Sequence, residues 1–243
     1  MSPARARFIF LPLAAVVLAA CGGGSSTGQQ NGIANDSASQ IAQMVRSALG
    51  SYSSVHMTGS VNSSGKNIGL DVIVVSPHGV DGTISISGSG SFRLITKDGA
   101  TFYFTPDQQF WTTFAGSAGP AVLQQLIGKC VIATSATSGF GSLSSGVASL
   151  TDLQHAFASG LTGKITKGAV HTANGQEAVP LTVSDGTVVE VPTQGSALPV
   201  EISKGGGGKI ELGQWNQAGT VSTPTGCVDI NQLEQGLALP TPS

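Results

Sequence analysis

Apolar and polar residues alternate through much of the stretch from 55 to 105. Ile68, Leu70, Val72 and Val74 interleave with Gly69, Asp71, Ile73 and Val75; Val80, Gly82, Ile84 and Ile86 interleave with Asp81, Thr83, Ser85 and Ser87. Phe92 and Leu94, then Phe102 and Phe104, keep the same period of two. That period, with one polar side, predicts antiparallel strands that have one wet face. The segments between them, "SPHG" (76–79), "SGSG" (87–90), "KDG" (97–99) and "TPDQQ" (105–109), are rich in turn formers. The strands are therefore expected to follow one another as a meander that starts near Val55.

Elsewhere the period changes. Ile41, Met44, Val45, Ala48 and Leu49 stand at helical spacing, so a first helix is expected over Asp36 to Leu49, capped by Asp36 or Ser37 and ended by Gly50. Pro120 can open a second helix whose apolar positions are Val122, Leu123, Leu126 and Ile127, with Gly128 ending it. Residues 134 to 149 are Ser, Gly and Ala rich and show no firm period. A third helix is expected from Thr151 to Ser159, with Thr151 and Gln154 as a capping box and Gly160 as its stop. Strand-like runs return at 164–171, 177–184, 187–191, 198–203 and 209–215. "ANGQ" (173–176) and "SDGT" (184–187) signal hairpins with type I′ character. Gly205 to Gly208 reads as another hairpin loop, because no GK[ST] and no helix follow it. The order of about six strands, helices and about five strands predicts an α+β fold: a curved antiparallel half-barrel sheet of about 11 strands wrapped around short helices.

The N-terminus has a different character. Met1 to Arg7 is basic, and Phe8 to Ala20 is an apolar stretch of 13 residues. This is the pattern of a secretory signal peptide, and it is shorter than the ~20 residues a membrane-spanning helix needs. "LAAC" at its end looks like the lipobox of bacterial lipoproteins, which implies cleavage before Cys21 and lipidation of Cys21. Acyl chains on that residue would anchor the protein to a membrane, each buried CH2 adding about 0.8 kcal/mol. The Gly-rich segment that follows has nothing to bury and reads as a tether. The expected organisation is a signal peptide (1–20), a lipidated cysteine with linker (21–35), one folded domain (36–235) and a short tail (236–243), on the extracytoplasmic face of the bacterial cell membrane.

Composition narrows the function. The formal charge is −2, and loss of Arg5 and Arg7 takes the mature chain to −4. With charged residues at 10% and no basic patch (Lys164 and Lys167 stand on opposite parity of one strand), nucleic acid is excluded as a partner. Once Cys21 carries lipid, Cys130 and Cys227 remain as a pair in an exported chain, and they are expected to form a disulfide. The four histidines, at 56, 78, 155 and 171, show no metal-ligand spacing, so neither a metal nor a cofactor is expected. There is no G-x-S-x-G elbow, and Ser63 to Lys66 matches S-x-x-K only within the polar turn "NSSGKN". No catalytic residue is assigned, and the chain is not expected to be an enzyme. His56, at a strand start, reads as a structural histidine.

At this point the chain resembles the LolA-like lipoproteins of the actinobacterial envelope, the LppX/LprG type. The resemblance covers roughly 37 to 225. It rests on the lipobox, the opening helix, "SYSSVHMTGSV" (51–61), "LDVIVVSPHGVDGTISISG" (70–88), "DGATFYF" (98–104) with "FW" (110–111), "NGQEAVPLTVSDGTVVEVP" and "ALPVEISKGGGGKIELGQW", in that order. It implies an apolar cavity between sheet and helices that binds a lipid or lipopeptide, and a carrier or chaperone role at the envelope. "GKC" (128–130) departs from relatives that often have an aromatic there. The wall positions would be Leu70, Val72, Val74, Ile84, Ile86, Phe92, Leu94, Phe102 and Phe104, acting in a monomer. The competing reading is a non-enzymatic surface lipoprotein, a sensor or docking module for a protein or cell-wall partner, with the same residues forming a solid core.

Overall fold

The structure is a computed structural model and describes residues 29–115, 120–134, 137, 152, 157 and 159–232. Helix α1 (Ala38–Leu49) forms where the apolar stripe requires it. Ser37 is its N-cap: its side chain accepts from the Gln40 amide, and the Gln40 side chain accepts from the Ser37 amide at 2.9 Å, a reciprocal capping box. The stripe buries Ile41, Ala42, Val45 and Leu49, and Gly50 closes the last turn.

Five strands follow in order: β1 (Ser54–Ser63), β2 (Lys66–Val75), β3 (Gly79–Ile86), β4 (Gly90–Thr96) and β5 (Thr101–Pro106). Helices α2 (Gln108–Ala115) and α3 (Pro120–Leu126) interrupt the run before β6 (Val131–Thr134). The second half supplies β7 (Ile165–Lys167), β8 (His171–Ala173), β9 (Gln176–Val183), β10 (Thr187–Pro192), β11 (Glu201–Lys204), β12 (Gly208–Gly213) and β13 (Val228–Asp229). The described strands make one sheet in the order β13-β6-β5-β4-β3-β2-β1-β12-β11-β10-β9-β7, with β8 also on β9. Only the β13–β6 pair is parallel. The two halves meet where β1 pairs with β12, and the ends of the sheet, β13 and β7, do not pair with each other.

The expected meander and the sheet's wet face are present, with thirteen described strands rather than about 11. The difference has local causes. The run 164–171 breaks into two pieces, because β7 pairs with 181–183 and β8 with 176–178 on either side of Pro180, which has no N–H to give the ladder. β6 and β13 are short strands that turn signals and loops conceal. "TPDQQ" is a correction: it does not turn one strand into the next but opens α2, with Asp107 accepting from the Phe110 amide at 2.7 Å as an N-cap does. "ANGQ" has positive φ at both Asn174 and Gly175, as type I′ requires, whereas "SDGT" has it only at Gly186 and is another turn type. The expected third helix and the 134–149 loop lie almost wholly outside the described residues, as do residues 1–28.

Gly59 shows how the sheet bends. It sits inside β1 at φ 135°, and a Cβ there would collide with the Lys209 carbonyl oxygen of β12. Only glycine allows that backbone approach, a common device where strands curve.

Two segments gather at one rim, which also carries the turns at 76–79 and 97–100. The first is the strap from Gln214 to Gly226. The Asn216 amide donates to the Ser54 carbonyl at 2.8 Å, the Asn216 side chain accepts from the Ser53 amide at 2.7 Å, and Val221 is buried beside Gly79. The strap ends at the Cys130–Cys227 disulfide, whose Cα atoms are 4.5 Å apart, next to the β13–β6 pair. The expected bridge is present. The second segment is the chain before α1. The Asn31 amide donates to the Thr193 carbonyl, the Asn31 side chain donates to the carbonyls of Pro192 and Gly195, and Ile33 is fully buried. Lys167 Nζ donates to the carbonyls of Ala34 and Asp36 at 2.6 and 2.7 Å. The chain is thus fixed to the domain from Gln29 onward, within the stretch read as linker.

Candidate functional site

Cross-strand register arranges the nine predicted wall residues in rows on one face. Leu70 stands opposite Ile84, and Ile84 opposite Phe92. Val72, Gly82, Leu94 and Phe104 form the next row, which continues to Val131 on β6. Val74, Val80, Thr96 and Phe102 form the third and end at Ala133. Ile86 opposes Ile68 at the far end of β3. Eight of the nine are buried and Ile86 is half-buried. They belong to one continuous apolar cluster with Ile41, Val45 and Leu49 of α1, Trp111 of α2 and Leu126 of α3. Short helices, not a second sheet, therefore pack on this face.

Helix α2 connects the face to solvent, and reading the strand pattern alone missed it. The signal was present: after Asp107, the apolar residues Phe110, Trp111 and Phe114 stand at helical spacing. Phe92 on the sheet meets Phe110 edge-on with ring centroids 5.3 Å apart. Phe110 in turn lies 4.3 Å from Phe114, which is 56% exposed. Phe92, Phe110 and Phe114 thus make an unbroken aromatic path from the buried face to the surface. Beside it, the Trp111 side chain is buried, and its Nε1 has no hydrogen-bond partner among the described residues. The other tryptophan, Trp215, donates to the Pro199 carbonyl at 2.9 Å.

No protein-family model matches the chain, and no curated protein matches it in sequence. Solved structures do. LprF from Mycobacterium bovis superposes with a TM-score of 0.52 at 15% identity, over 78% of this chain and 97% of that one. The fold is LolA-like. The Mycobacterium tuberculosis lipoprotein LppX aligns over 76% of this chain and 98% of its own, at 14% identity and a TM-score of 0.48.

The outer side of the LolA-like half-barrel is polar and largely paired. His56 Nε2 lies 2.7 Å from Asp71 Oδ1, which gives this histidine a partner of the kind expected for a structural residue. Arg93 holds Asp81 through two bonds of 3.0 Å. A cleft of about 250 Å3 opens between His56, Ile73, Gln214, Gln217 and Ala218. Among the described residues no group of three or more His, Cys, Asp or Glu is placed to hold a metal ion, and no helix is long and apolar enough to cross a membrane.

One carboxylate on this side is out of balance. Glu190 is 6% exposed and stands in register with Glu201, which faces Glu211 in turn. Lys209 bridges the latter two at 2.8 and 3.1 Å, whereas Glu190 has only His171 at 3.4 Å and keeps one oxygen buried without a partner. Burial pushes the Glu190 carboxyl above the ordinary glutamate range; His171 opposes this, and repulsion from Glu201 adds to it. A carboxyl raised on folding holds its proton more tightly in the native state. Stability is therefore greatest below the ordinary glutamate pKa and falls as pH rises through the raised one. Glu190→Gln is expected to raise the thermal midpoint by a few degrees at pH 7 and to leave it unchanged at pH 4. Melting curves at the two pH values check this, and equal shifts at both would refute it.

Proposed function

We propose that this chain is an envelope lipoprotein, anchored through lipid on Cys21 outside the cytoplasmic membrane, whose half-barrel binds a lipid or other apolar ligand as a carrier or chaperone. The observation that carries the reading is the aromatic path from Phe92 through Phe110 to Phe114. Phe114 is 56% exposed and stacks on Phe110, so it is the outer end of a continuous aromatic row and not an isolated surface residue of the kind that needs no explanation. A lipid binder needs an apolar route from solvent to its interior, and each acyl CH2 taken from water along it contributes about 0.8 kcal/mol. The wall is the concave face with Ile84, Ile86, Phe92 and Leu94 nearest the path, while Leu70, Val72, Val74, Phe102 and Phe104 extend it inward. The α2–α3 pair is the cover that must shift to admit a chain.

The test is native mass spectrometry of residues 22–243, exported so that the disulfide forms. Lipid is expected to co-purify at close to one molecule per chain and to return after delipidation when envelope lipids are offered. A bare mass that takes up none of them would sink the proposal. The anchor has its own check: Cys21→Ser is expected to move the full chain from the membrane fraction to the soluble one.

A further inference from the structure

We propose that the Trp111 indole N–H is a built hydrogen-bond donor for the acyl-ester carbonyl of a bound glycerolipid. The inference rests on the lipid-binding reading above and names the chemistry by which that site would recognise its ligand. Trp111 is 5% exposed and lies in the apolar cluster under α2, yet its Nε1–H is buried with no partner among the described residues. Buried donors are almost always satisfied, and an orphaned one destabilises the fold that contains it, so a native orphan calls for an explanation. The chain's other indole shows the usual solution, a bond to a backbone carbonyl. A resident water is a poor solution at Trp111, because a buried water needs two to four polar partners, whereas the described indole contact is the Phe110 ring within an apolar cluster.

The missing partner must be an acceptor that brings no donor of its own and arrives with apolar surroundings. An ester carbonyl meets both conditions, since it lies where acyl chains join the glycerol. The position agrees: the Trp111 and Phe110 ring centroids are 6.0 Å apart, so the indole stands beside the aromatic path that the chains would follow. A fatty alkyl chain without a carbonyl would fill the same space and leave the donor orphaned.

The test compares two probes, a diester phosphatidylglycerol and the diether phosphatidylglycerol with the same headgroup and chain length. The wild-type chain is expected to bind the diester about five- to tenfold more tightly, the factor one buried hydrogen bond supplies. Trp111→Phe keeps an aromatic ring in the core and is expected to erase that preference while still binding the diether. A second readout needs no variant to fold well. The chain has two tryptophans, so its nitrogen–proton spectrum holds two indole signals. The signal of Trp111 should move downfield with the diester and not with the diether, while that of Trp215 stays in place. Equal binding of both lipids by the wild type, with the Trp111 signal unmoved, would overturn the inference and leave the lipid-binding reading standing. Binding of neither lipid would overturn both.

Discussion

Replacing both Cys130 and Cys227 with serine is expected to lower stability by about 4–5 kcal/mol, the chain-entropy value for a loop of this length, since 97 residues separate the two. For a domain of this size that corresponds to a fall in the melting temperature of roughly 8–20 °C. The local consequence follows from the topology. β13 is held by two residue pairs with β6, and the strap that leads to it crosses the rim on a few bonds from Asn216 and the burial of Val221. Without the bridge, that segment has little to keep it in place. Hydrogen exchange should therefore show loss of protection at Val228 and Asp229 first, with β1 to β4 protected until global melting. A reduced or doubly substituted chain with an unchanged melting temperature would contradict this account.

Phe102→Ala is expected to cost about 3–5 kcal/mol, as truncation of a fully buried aromatic does. Phe102 is 0% exposed and stands in the row next to the strap rim, between Thr96 and Ala133. No described feature suggests that its neighbours can collapse into the space. The urea midpoint should fall while the slope of the transition stays the same, because the native fold still buries nearly the same surface. Phe114→Ala is the informative contrast. That side chain is more than half exposed, so stability should move by no more than about 0.5 kcal/mol. Lipid occupancy should nevertheless drop, because the outer end of the path is gone. A nearly neutral Phe102→Ala would contradict the close packing of this wall residue under the helices in the lipid-free chain.

What could be read in the sequence follows from which physical signals are local. Alternation along 68–75, 80–87 and 92–96 settles the face of every side chain, because the period of a strand is two and a slip of one residue would turn the whole set outward. α1 was legible for the same reason, with its stripe and cap within fourteen residues of sequence. α2 was hidden by Thr105, Pro106 and Asp107, which announce a turn, and by β-branched Thr112 and Thr113, which favour strands. The pairing of β1 with β12 joins residues about 150 apart and leaves no local mark. The same holds for Lys167, which reads as a surface lysine in a short strand until the carbonyls of Ala34 and Asp36 are brought to it. The Trp111 donor could be named from the letters "FW" but not its missing acceptor, since an absence of partners exists only in three dimensions.

With Cys21 lipidated as proposed, the clamp on residues 29–36 would set how the domain stands on the membrane. Between Cys21 and Gln29, the first described residue and one bonded to Gly195, eight Cα steps reach at most about 29 Å. β1, with its ten residues, is about as tall, near 33 Å, and its opposite end forms the other rim. A leash that short, tied at the strap rim, would give the anchored domain a fixed up and down relative to the bilayer. It could tilt, but it could not turn over and press its other rim, with the hairpins at 63–66 and 184–187, onto a membrane that held Cys21.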